Sequence, residues 1–352
     1  MNVMRAAVLA DYVDLARQLG LEPEAQLRAV GLSTLVIGTP DRLISSDAAV
    51  RLLENSAAAS GCQTLGLRIS QLRRMSHFGV VGLLFGQQRT LRDVLQMALR
   101  YLPIINGSLA VQLEESDGTA LLREEVLTDA AMPVRQAMEL SMAANVQLIR
   151  SVIRADWRPR RVYFRHAAPD SLELHKIVFR CPCEFSSEFN AMAFSAGDLE
   201  LVNPSADPVM AQYALGFIES LAAQGSASFT ADVRRLIYLY LPLGRATIKQ
   251  VAQSLGRSVR KLQLDLAREN AAFGQLLDDV RQERAQLYLD NPRFDMAHVA
   301  SLLGYGQQGS FTRWFTARFG VAPSVWRKRH AASAVVGMGS SGQFQVAAAK
   351  KR

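Results

Sequence analysis

The residues best suited to chemistry lie near the C-terminal end of this chain, within Val299–Arg329. Apolar residues recur there at helical spacing up to Leu303, and Gly304 and Gly306 then interrupt them. Polar and small residues at Gln307–Ser310 open a second helical pattern. Its apolar side consists of four aromatic residues, Phe311, Trp314, Phe315 and Phe319. A short helix, a turn with glycine and a second helix with a polar front form a helix-turn-helix, so this stretch predicts DNA recognition.

Another unit of the same plan lies earlier in the chain, so we call it the first unit and call the C-terminal one the second unit. Thr247 and Gln250 fit a capping box before a helix over Ile248–Leu255, and Gly256 ends that helix. Ser258 is then the predicted cap of a helix over Val259–Glu269. The exposed polar positions of this helix are Arg260, Lys261, Gln263 and Arg268. Two potential DNA-reading helices are therefore present.

A long helix over Phe273–Leu289 is predicted to join the two units. At 1.5 Å per residue it spans about 25 Å, which is close to the roughly 34 Å of one DNA turn. Asn291-Pro292 ends it, and Asp295 caps the helix Met296–Leu303 that begins the second unit. One chain is therefore expected to enter two successive major-groove segments on one face of DNA.

Charge separates these units from the rest of the chain. Residues 230–330 carry 16 Lys and Arg against 8 Asp and Glu, whereas residues 1–229 carry 21 against 24. A basic region attached to a mildly acidic body is typical of nucleic-acid binding. A randomly basic surface is the alternative interpretation.

The preceding residues predict an α+β body. Helices are expected within residues 3–60, with Ser46 as the cap of one of them, and a helix capped by Thr90 follows. Alternating residues on both sides of Asp117-Gly118 predict a β-hairpin over 108–126. The remaining expectations are a long helix over 132–153, a strand over 160–166, a helix over 169–178, an extended stretch over 183–194 and a helix over 209–223.

Other kinds of chemistry receive little support from the body. The glycines of residues 66–86 lack the Lys-Ser/Thr pair of a phosphate-binding loop and favour close helix packing instead. The carboxylate pairs Glu114/Glu115 and Glu124/Glu125 are interpreted as solvated faces. Buried or half-buried thiols are the favoured interpretation of Cys181 and Cys183, over a metal site with His166 and His175 or a redox pair. No catalytic constellation is recognised, so neither an enzyme nor a bound metal or cofactor is predicted.

The tandem units resemble the AraC/XylS family of bacterial transcription regulators. The second unit carries the resemblance most strongly, through Ala300–Tyr305, Ser310–Phe315, Phe319-Gly320, Pro323 and Trp326-Arg327. The first unit matches through Val251-Ala252, Leu255-Gly256, Ser258, Leu262, Leu266 and Arg281/Ala285. The body resembles the long arabinose-binding-like N-terminal domain of one branch, through Phe78-Gly79, Gly82, Thr90-Leu91, Ala98 and Arg100-Tyr101.

The resemblance assigns DNA contacts to particular side chains. The first helix would present Arg260, Lys261, Gln263 and Leu264, and the second Gln308, Gly309, Thr312 and Arg313. Arg313 is expected to pair with guanine, whereas Arg318, Arg327, Lys328 and Arg329 are expected at phosphates. Many members have basic residues where Leu264 and Asp265 stand. An asymmetric reader is therefore expected, in which the second unit supplies most of the sequence specificity and Asp265 lies unfavourably near phosphate.

The predicted organisation is a regulatory body over 1–223, a linker over 224–228, a DNA-binding domain over 229–330 and a disordered tail over 331–352. The predicted function is a ligand-responsive activator that binds double-stranded promoter DNA and works with RNA polymerase. Its body would bind a small-molecule effector or form a homodimer. The alternative is a constitutive architectural DNA-binding protein with an oligomerising body. Because no signal peptide or membrane span is recognised, a cytoplasmic protein, associated with the nucleoid when bound to DNA, is expected.

Overall fold

The structure is a computed structural model that describes residues 3–129, 132–224 and 228–330. Its two parts are an N-terminal body of helices and strands, residues 3–224, and a C-terminal helical region, residues 228–330. The predicted α+β and all-α architecture is therefore confirmed. Most of the predicted linker and the whole predicted tail lie outside the described residues.

The bounds of the elements follow the local sequence signals in most places. The helices of the body are α1 (Tyr12–Gln18), α2 (Pro23–Ala29), α3 (Ser46–Ser60), α4 (Leu65–Leu72), α5 (Val80–Gly86), α6 (Leu91–Ile105), α7 (Arg135–Val152), α8 (Glu173–Phe179) and α9 (Pro208–Gln224). Its strands are β1 (Val3–Arg5), β2 (Leu43–Ser45), β3 (Leu109–Ser116), β4 (Thr119–Val126), β5 (Arg161–Tyr163), β6 (Cys183–Glu184) and β7 (Ala191–Ser195).

The helical region contains α10 (Phe229–Tyr240), α11 (Ile248–Ser254), α12 (Val259–Arg268), α13 (Phe273–Leu289), α14 (Met296–Leu302) and α15 (Gln308–Phe319). Residues 323–330 are also helical. The helix pairs α11–α12 and α14–α15 each turn at a glycine with positive φ, Gly256 in the first pair and Gly304 in the second. A left-handed backbone suits glycine because it has no Cβ.

The main sheet of the body has the strand order β3-β4-β7-β5-β6, and all its pairs are antiparallel except β5 with β6. The predicted hairpin is confirmed as β3 and β4. Its two turn residues, Asp117 and Gly118, have φ values of 49° and 72°, as a two-residue type I′ turn requires.

The hairpin separates two environments. Leu109 pairs with Val126 and Val111 with Glu124, while Ala110 pairs with Glu125 between them. Successive residues of a strand point to opposite faces of the sheet, so Glu124 and Glu125 face different parts of the molecule. The Glu124 face belongs to the core of the body, whereas α10 packs against the other face.

Three sequence predictions for the body are wrong in detail. Residues 3–60 are not all helical, because β1 pairs with β2 forty residues later, and three-residue strands are too short to show alternation. Ser45, not Ser46, caps α3, since its hydroxyl accepts a hydrogen bond from Ala48 N. The extended stretch over 183–194 is two strands joined by a turn that contains Ser186 at φ 56°.

The predicted close helix packing is confirmed at Gly66, where α4 contacts α7. A Cβ atom on Gly66 would overlap the backbone carbonyl of Gln136, and Gln136 Oε1 accepts a hydrogen bond from Gly66 N at 2.9 Å. The atoms that such a Cβ would meet belong to the backbone, so α4 and α7 would have to separate to make room.

We therefore expect Gly66→Ala to lower the free energy of unfolding by about 1–3 kcal/mol, the usual cost of overpacking. Gly216→Ala is the control, because Gly216 is also helical but a Cβ atom there would meet no atom of the described residues within 4 Å. The control should be neutral or stabilising by up to about 1 kcal/mol. Chemical denaturation of both variants measures this difference, and equal effects would contradict the packing argument.

Candidate nucleic-acid interface

The first candidate reading helix, α12, divides into a buried and an exposed side. Leu262 and Leu266 are buried in the core of the helical region. Ser258 caps the helix as predicted, and its hydroxyl accepts a hydrogen bond from Lys261 N at 3.2 Å. Three predicted contact residues, Arg260, Gln263 and Leu264, are exposed. Their spacing of three and four residues places them on one helix face.

Asp265 organises the cations beside that face. Its carboxylate lies 2.9 Å from Lys261 Nζ, 3.2 Å from an Arg268 guanidinium nitrogen and 4.0 Å from one of Arg257. The hydrogen bond from Lys261 is the main reason why the pKa of Asp265 lies below its ordinary value. An isolated Asp265 carboxylate would repel a nearby phosphate, as the sequence predicts. In the structure three cations surround this carboxylate.

The second candidate reading helix, α15, has the same division. Phe311 and Phe315 are fully buried. Gln308, Gly309 and Arg313 are exposed, and Thr312 is half-buried with its hydroxyl donating to Gln308 O at 3.0 Å. Among the described residues, the Arg313 guanidinium donates one long hydrogen bond, to Ser310 Oγ at 3.5 Å. The side chain is therefore available to extend from the helix.

Aromatic packing and one arginine hold the second helix pair in place. The rings of Phe315 and Phe319 stack with centroids 4.2 Å apart. Arg281 of α13 donates through Nε to Leu303 O at 3.0 Å, and its guanidinium lies 4.4 Å from the centre of the Tyr305 ring. Arg281 thus satisfies a carbonyl at the end of α14, where a helix leaves its last acceptors unpaired. The connecting helix α13 therefore fixes the turn that precedes α15.

Glu269 fixes the other end of the first pair. Its carboxylate accepts hydrogen bonds from Phe229 N at 2.8 Å, Thr230 N at 2.9 Å and Ser228 Oγ at 2.7 Å. These donors, with the Thr230 amide first, lower the pKa of Glu269 to about 2. A carboxylate just after α12 thus caps the N-terminus of α10, where unpaired amides favour negative charge.

The predicted phosphate contacts are placed unequally. Arg318 is exposed, although its Nε donates to Gln282 Oε1 at 2.8 Å. Arg327 is half-buried, and its Nε donates to Leu289 O at the end of α13. Burial lowers the pKa of Arg327. Arg327 therefore also stabilises the connecting helix, and its role at phosphate stays a prediction.

The carboxylate pair Glu124/Glu125 is not the solvated face that the sequence predicted. The side chains of both residues are buried. Burial raises the pKa of Glu124 to about 7, and Asn145 donates a hydrogen bond to its carboxylate. The cost of burying a charge without a partner is large, which favours the protonated form of such a group.

Glu125 retains its charge because two arginines surround it. Arg284 of α13 donates to its Oε2 at 2.8 Å, and Arg165 of the body donates to both carboxylate oxygens. Burial acts to raise the pKa of Glu125, but these two cations outweigh it and hold the pKa below its ordinary value. Arg284 comes from a position 159 residues away in the sequence, so no local pattern could have indicated this contact.

A second contact joins the two parts of the molecule through α10. Because Val233, Leu236 and Ile237 recur at helical spacing as the inward side of α10, the sequence predicts that Arg235 faces solvent. This prediction is wrong, because the Arg235 guanidinium donates to Gly107 O of the body at 3.2 Å and pairs with Asp232 at 2.6 Å. Arg235 lies on the face of α10 that packs against β3. The helical pattern correctly placed it away from the apolar core but did not show that another surface covers it.

The histidines and cysteines of the body form no recognised metal site. His175 Nε2 lies 3.1 Å and His166 Nε2 lies 3.5 Å from the buried carboxylate of Glu139. Cys181 and Cys183 are half-buried free thiols. Within the described ranges, no group of three His, Cys, Asp or Glu residues could hold a metal ion.

Comparison with known proteins gives matches over most of the chain. A model described as the arabinose-binding domain of AraC transcription regulator matches residues 20–203, and a helix-turn-helix domain model matches residues 251–329. The transcriptional regulator VirS of Mycobacterium tuberculosis is 27% identical over 328 residues, which cover 93% of this chain and 96% of VirS. The ornithine utilization regulator of Pseudomonas aeruginosa is 26% identical over 320 residues, 90% of this chain and 94% of that protein.

A solved structure also resembles the chain. The transcriptional regulator CdpR from Pseudomonas aeruginosa aligns with 87% of this chain and 96% of its own, at 19% identity and a TM-score of 0.44.

Across the described ranges, the helices are all too short or too polar to cross a membrane.

We expect Arg284→Ala to lower the free energy of unfolding by about 1.5–3 kcal/mol, the range for a hydrogen bond to a charged group. The depressed pKa of Glu125 gives the effect a direction with pH. The stabilisation by the Arg284–Glu125 contact is fully present above the pKa of Glu125 in the unfolded chain, about 4.3. It is lost as the pH falls through the lower pKa of Glu125 in the folded protein. The difference between wild type and variant should therefore shrink on acidification.

Arg154→Ala is the matched control, because Arg154 pairs with Asp156 at 3.6 Å where both side chains are exposed. An exposed pair contributes little to stability. Urea unfolding at neutral and acidic pH measures both variants. Equal small effects at the two positions would refute the structural role of Arg284.

Proposed function

Because the chain belongs to the AraC family of transcription regulators and carries its arabinose-binding-like N-terminal domain, we propose that it is a ligand-responsive activator. In this proposal the chain reads two adjacent major-groove segments of promoter DNA. The observation that carries the proposal is that α12 and α15 each present an exposed polar face while α13 links them. A helix admitted to the major groove can distinguish all four base pairs by hydrogen bonds and methyl contacts.

Surface charge supports binding along the DNA backbone. Arg245, Lys249, Arg257, Arg260 and Lys328 are exposed cations of the helical region. Each phosphate that such a side chain neutralises releases bound counterions, so affinity falls as salt rises. These contacts would position the two reading helices without specifying the sequence.

The two units are proposed to contribute unequally. Arg313 is exposed and offers the guanidinium geometry that pairs with guanine. Leu264 is the counterpart of Arg313 in α12. It is a half-exposed apolar side chain suited to a thymine methyl group. The neighbouring cations are bound to Asp265. The second unit would therefore supply most of the specificity, and the first would supply backbone contact and shape recognition.

Ligand response is proposed because one strand serves both parts of the molecule. Leu109 and Val126 line a cavity in the body, while Glu125 on the opposite face of the same hairpin holds Arg284 of α13. A ligand that displaces β4 would change the contact that positions the reading helices. Such coupling requires that the ligand bind more tightly to one position of β4 than to the other.

The remaining partners follow from the proposed activity. An activator would contact RNA polymerase at the promoter, in the cytoplasm and on the nucleoid.

The side chains of Val209, Met210 and Tyr213 give α9 an exposed apolar surface. Exposed apolar surface is often used for association, and this surface is where we would look for a homodimer contact.

The experiment that tests the proposal selects bound sequences from random DNA with the full chain. We expect two blocks of sequence preference whose centres are about 10 base pairs apart. Inserting about five base pairs between the blocks would turn one of them to the opposite face of the DNA and abolish tight binding. A sequence-blind profile that depends only on salt would contradict the proposal and favour the architectural alternative.

Arg313→Ala tests the assignment of the second reading helix. We expect a loss of about 1–3 kcal/mol in binding to the selected site, with relaxed preference at one base position. Arg318→Ala serves as the control, because a lost phosphate contact should weaken binding to all sequences about equally and lower the salt dependence. The assignment fails if Arg313→Ala leaves the base preferences of the site unchanged.

A further inference from the structure

A cavity lies in the body between β1, α3, α6, α7 and the β3–β4 hairpin. The space open to the centre of a water-sized sphere is about 110 Å³, several times the roughly 10–15 Å³ that one water molecule requires. Its walls are mostly apolar, with Val50, Leu53, Phe85, Leu102, Leu140 and Leu148 among the lining residues. Such a lining favours a ligand with a substantial hydrophobic part.

The apolar space continues along α6 and β3. A smaller adjoining cavity, with about 40 Å³ open to the centre of a water-sized sphere, shares Ala98, Leu102, Leu109 and Asn145 with the first as wall residues. Its other walls are Leu95, Leu99, Val111 and Leu122, all of them apolar. Both cavities have mostly apolar walls, and both have wall residues on α6 and β3, so these walls suit an alkyl chain better than a hydroxyl-rich molecule such as a sugar.

The ionisable residues that line the main cavity are all basic. They are Arg5, Arg73 and His77, and no Asp or Glu is among the described residues of the lining. The two arginines are held in one wall by backbone carbonyls: Arg5 donates to Phe78 O at 3.1 Å and Arg73 to Val8 O at 2.8 Å. Arg5 thus bonds to the segment that follows Arg73, and Arg73 bonds to the segment that follows Arg5.

Nearby carboxylates compensate these charges only in part. Arg5 also pairs with Asp41, whose side chain is 78% exposed and so lies towards solvent. Asp11 lies 3.5 Å from His77 and attracts Arg73. Burial nevertheless lowers the pKa of Arg73 to about 10, in spite of the attraction of Asp11. An anionic group bound beside Arg73 would stabilise the charge.

The uncharged polar residues of the lining are already used inside the protein. Asn106 Oδ1 accepts a hydrogen bond from Ser108 Oγ at 2.7 Å, and the Asn145 amide donates to Glu124. They are therefore less suited to bind a hydroxyl-rich ligand. Each arginine has five N–H groups, more than its bonds to Phe78 O, Asp41 or Val8 O use, and so is the better polar recognition group.

We propose that this cavity binds an amphipathic anion of the medium-chain aliphatic carboxylate class. The carboxylate would lie at Arg5 and Arg73, and the alkyl chain would follow α6 and β3 into the adjoining cavity. The inference names the ligand class of the effector site in the proposed function, but binding itself requires no DNA.

The test is calorimetric titration of the full chain with decanoate, decan-1-ol, decylamine and arabinose as probes, each below the concentration at which it forms aggregates. Decanoate is expected to bind at least about tenfold more tightly than decan-1-ol, because only the carboxylate can accept charge-assisted hydrogen bonds from the arginines. Decylamine and arabinose are expected not to bind. Equal affinity for the acid and the alcohol, or tighter binding of the amine or the sugar, would overturn the proposal.

Two variants and one control locate the ligand. Arg73→Gln should weaken decanoate at least about tenfold and leave decan-1-ol unchanged, because only the charge is lost. Ala98→Trp should remove binding of both probes by filling the shared part of the two cavities. Arg74→Gln changes the adjacent exposed arginine and should alter neither affinity. Thermal melting confirms that each variant is folded, and Ala98→Trp remains informative if Arg73→Gln is not.

The outcomes separate this inference from the proposed function. Absence of decanoate binding to a chain that still selects a DNA sequence would overturn the ligand class alone. Binding of decanoate with the expected response to Arg73→Gln supports the ligand class, whatever its effect on DNA affinity. Unchanged decanoate affinity in both Arg73→Gln and Ala98→Trp would overturn the assigned site.

Discussion

A buried negative charge on Glu125 is the constraint on which the arrangement of this molecule depends. Such a charge is tolerated only with close cationic partners, and here one partner, Arg165, belongs to the body and the other, Arg284, belongs to α13. Because α13 lies between the helix pairs and contacts the turn before α15 through Arg281, a contact that fixes α13 also fixes the candidate reading helices relative to the body. The Arg235 contact with Gly107 supports the same placement from α10.

The alternation of side chains along β4 gives this contact a further consequence. Val126 faces the cavity of the body, and its neighbour Glu125 faces α13. Glu124, which also points away from α13, is held by Asn145, a residue that lines the cavity. A bound ligand and the helical region would therefore contact opposite faces of the same short strand. Packed elements of this kind shift between discrete arrangements more readily than they deform, which is the physical basis for the proposed control of DNA binding.

The sequence predicted the helical region well because its signals are local. Thr247, Ser258 and Asp295 accept hydrogen bonds as helix caps, and the bounds of α13 agree with the prediction. Asp117-Gly118 located the hairpin for the same reason. The contacts that join the two parts were not predicted because they depend on residues distant in sequence. Glu125 and Arg284 are 159 residues apart. The helical pattern of α10 alone placed Arg235 in solvent, because that pattern contains no information about the body that covers it. The cavity was not outlined either, since its walls come from many separate segments.

Whether the Glu125–Arg284 contact couples the cavity to DNA binding is tested by the DNA affinity of the full chain with and without decanoate, in wild type and in Arg284→Met. We expect decanoate to change the DNA affinity of wild type by at least about fivefold, the lower end of typical coupling between sites. The same ligand should leave the affinity of Arg284→Met unchanged, although that variant still binds decanoate. An equal response in both proteins would show that the Glu125–Arg284 contact does not couple the cavity to DNA binding, and a wild type that binds decanoate without any change in DNA affinity would contradict the coupling itself.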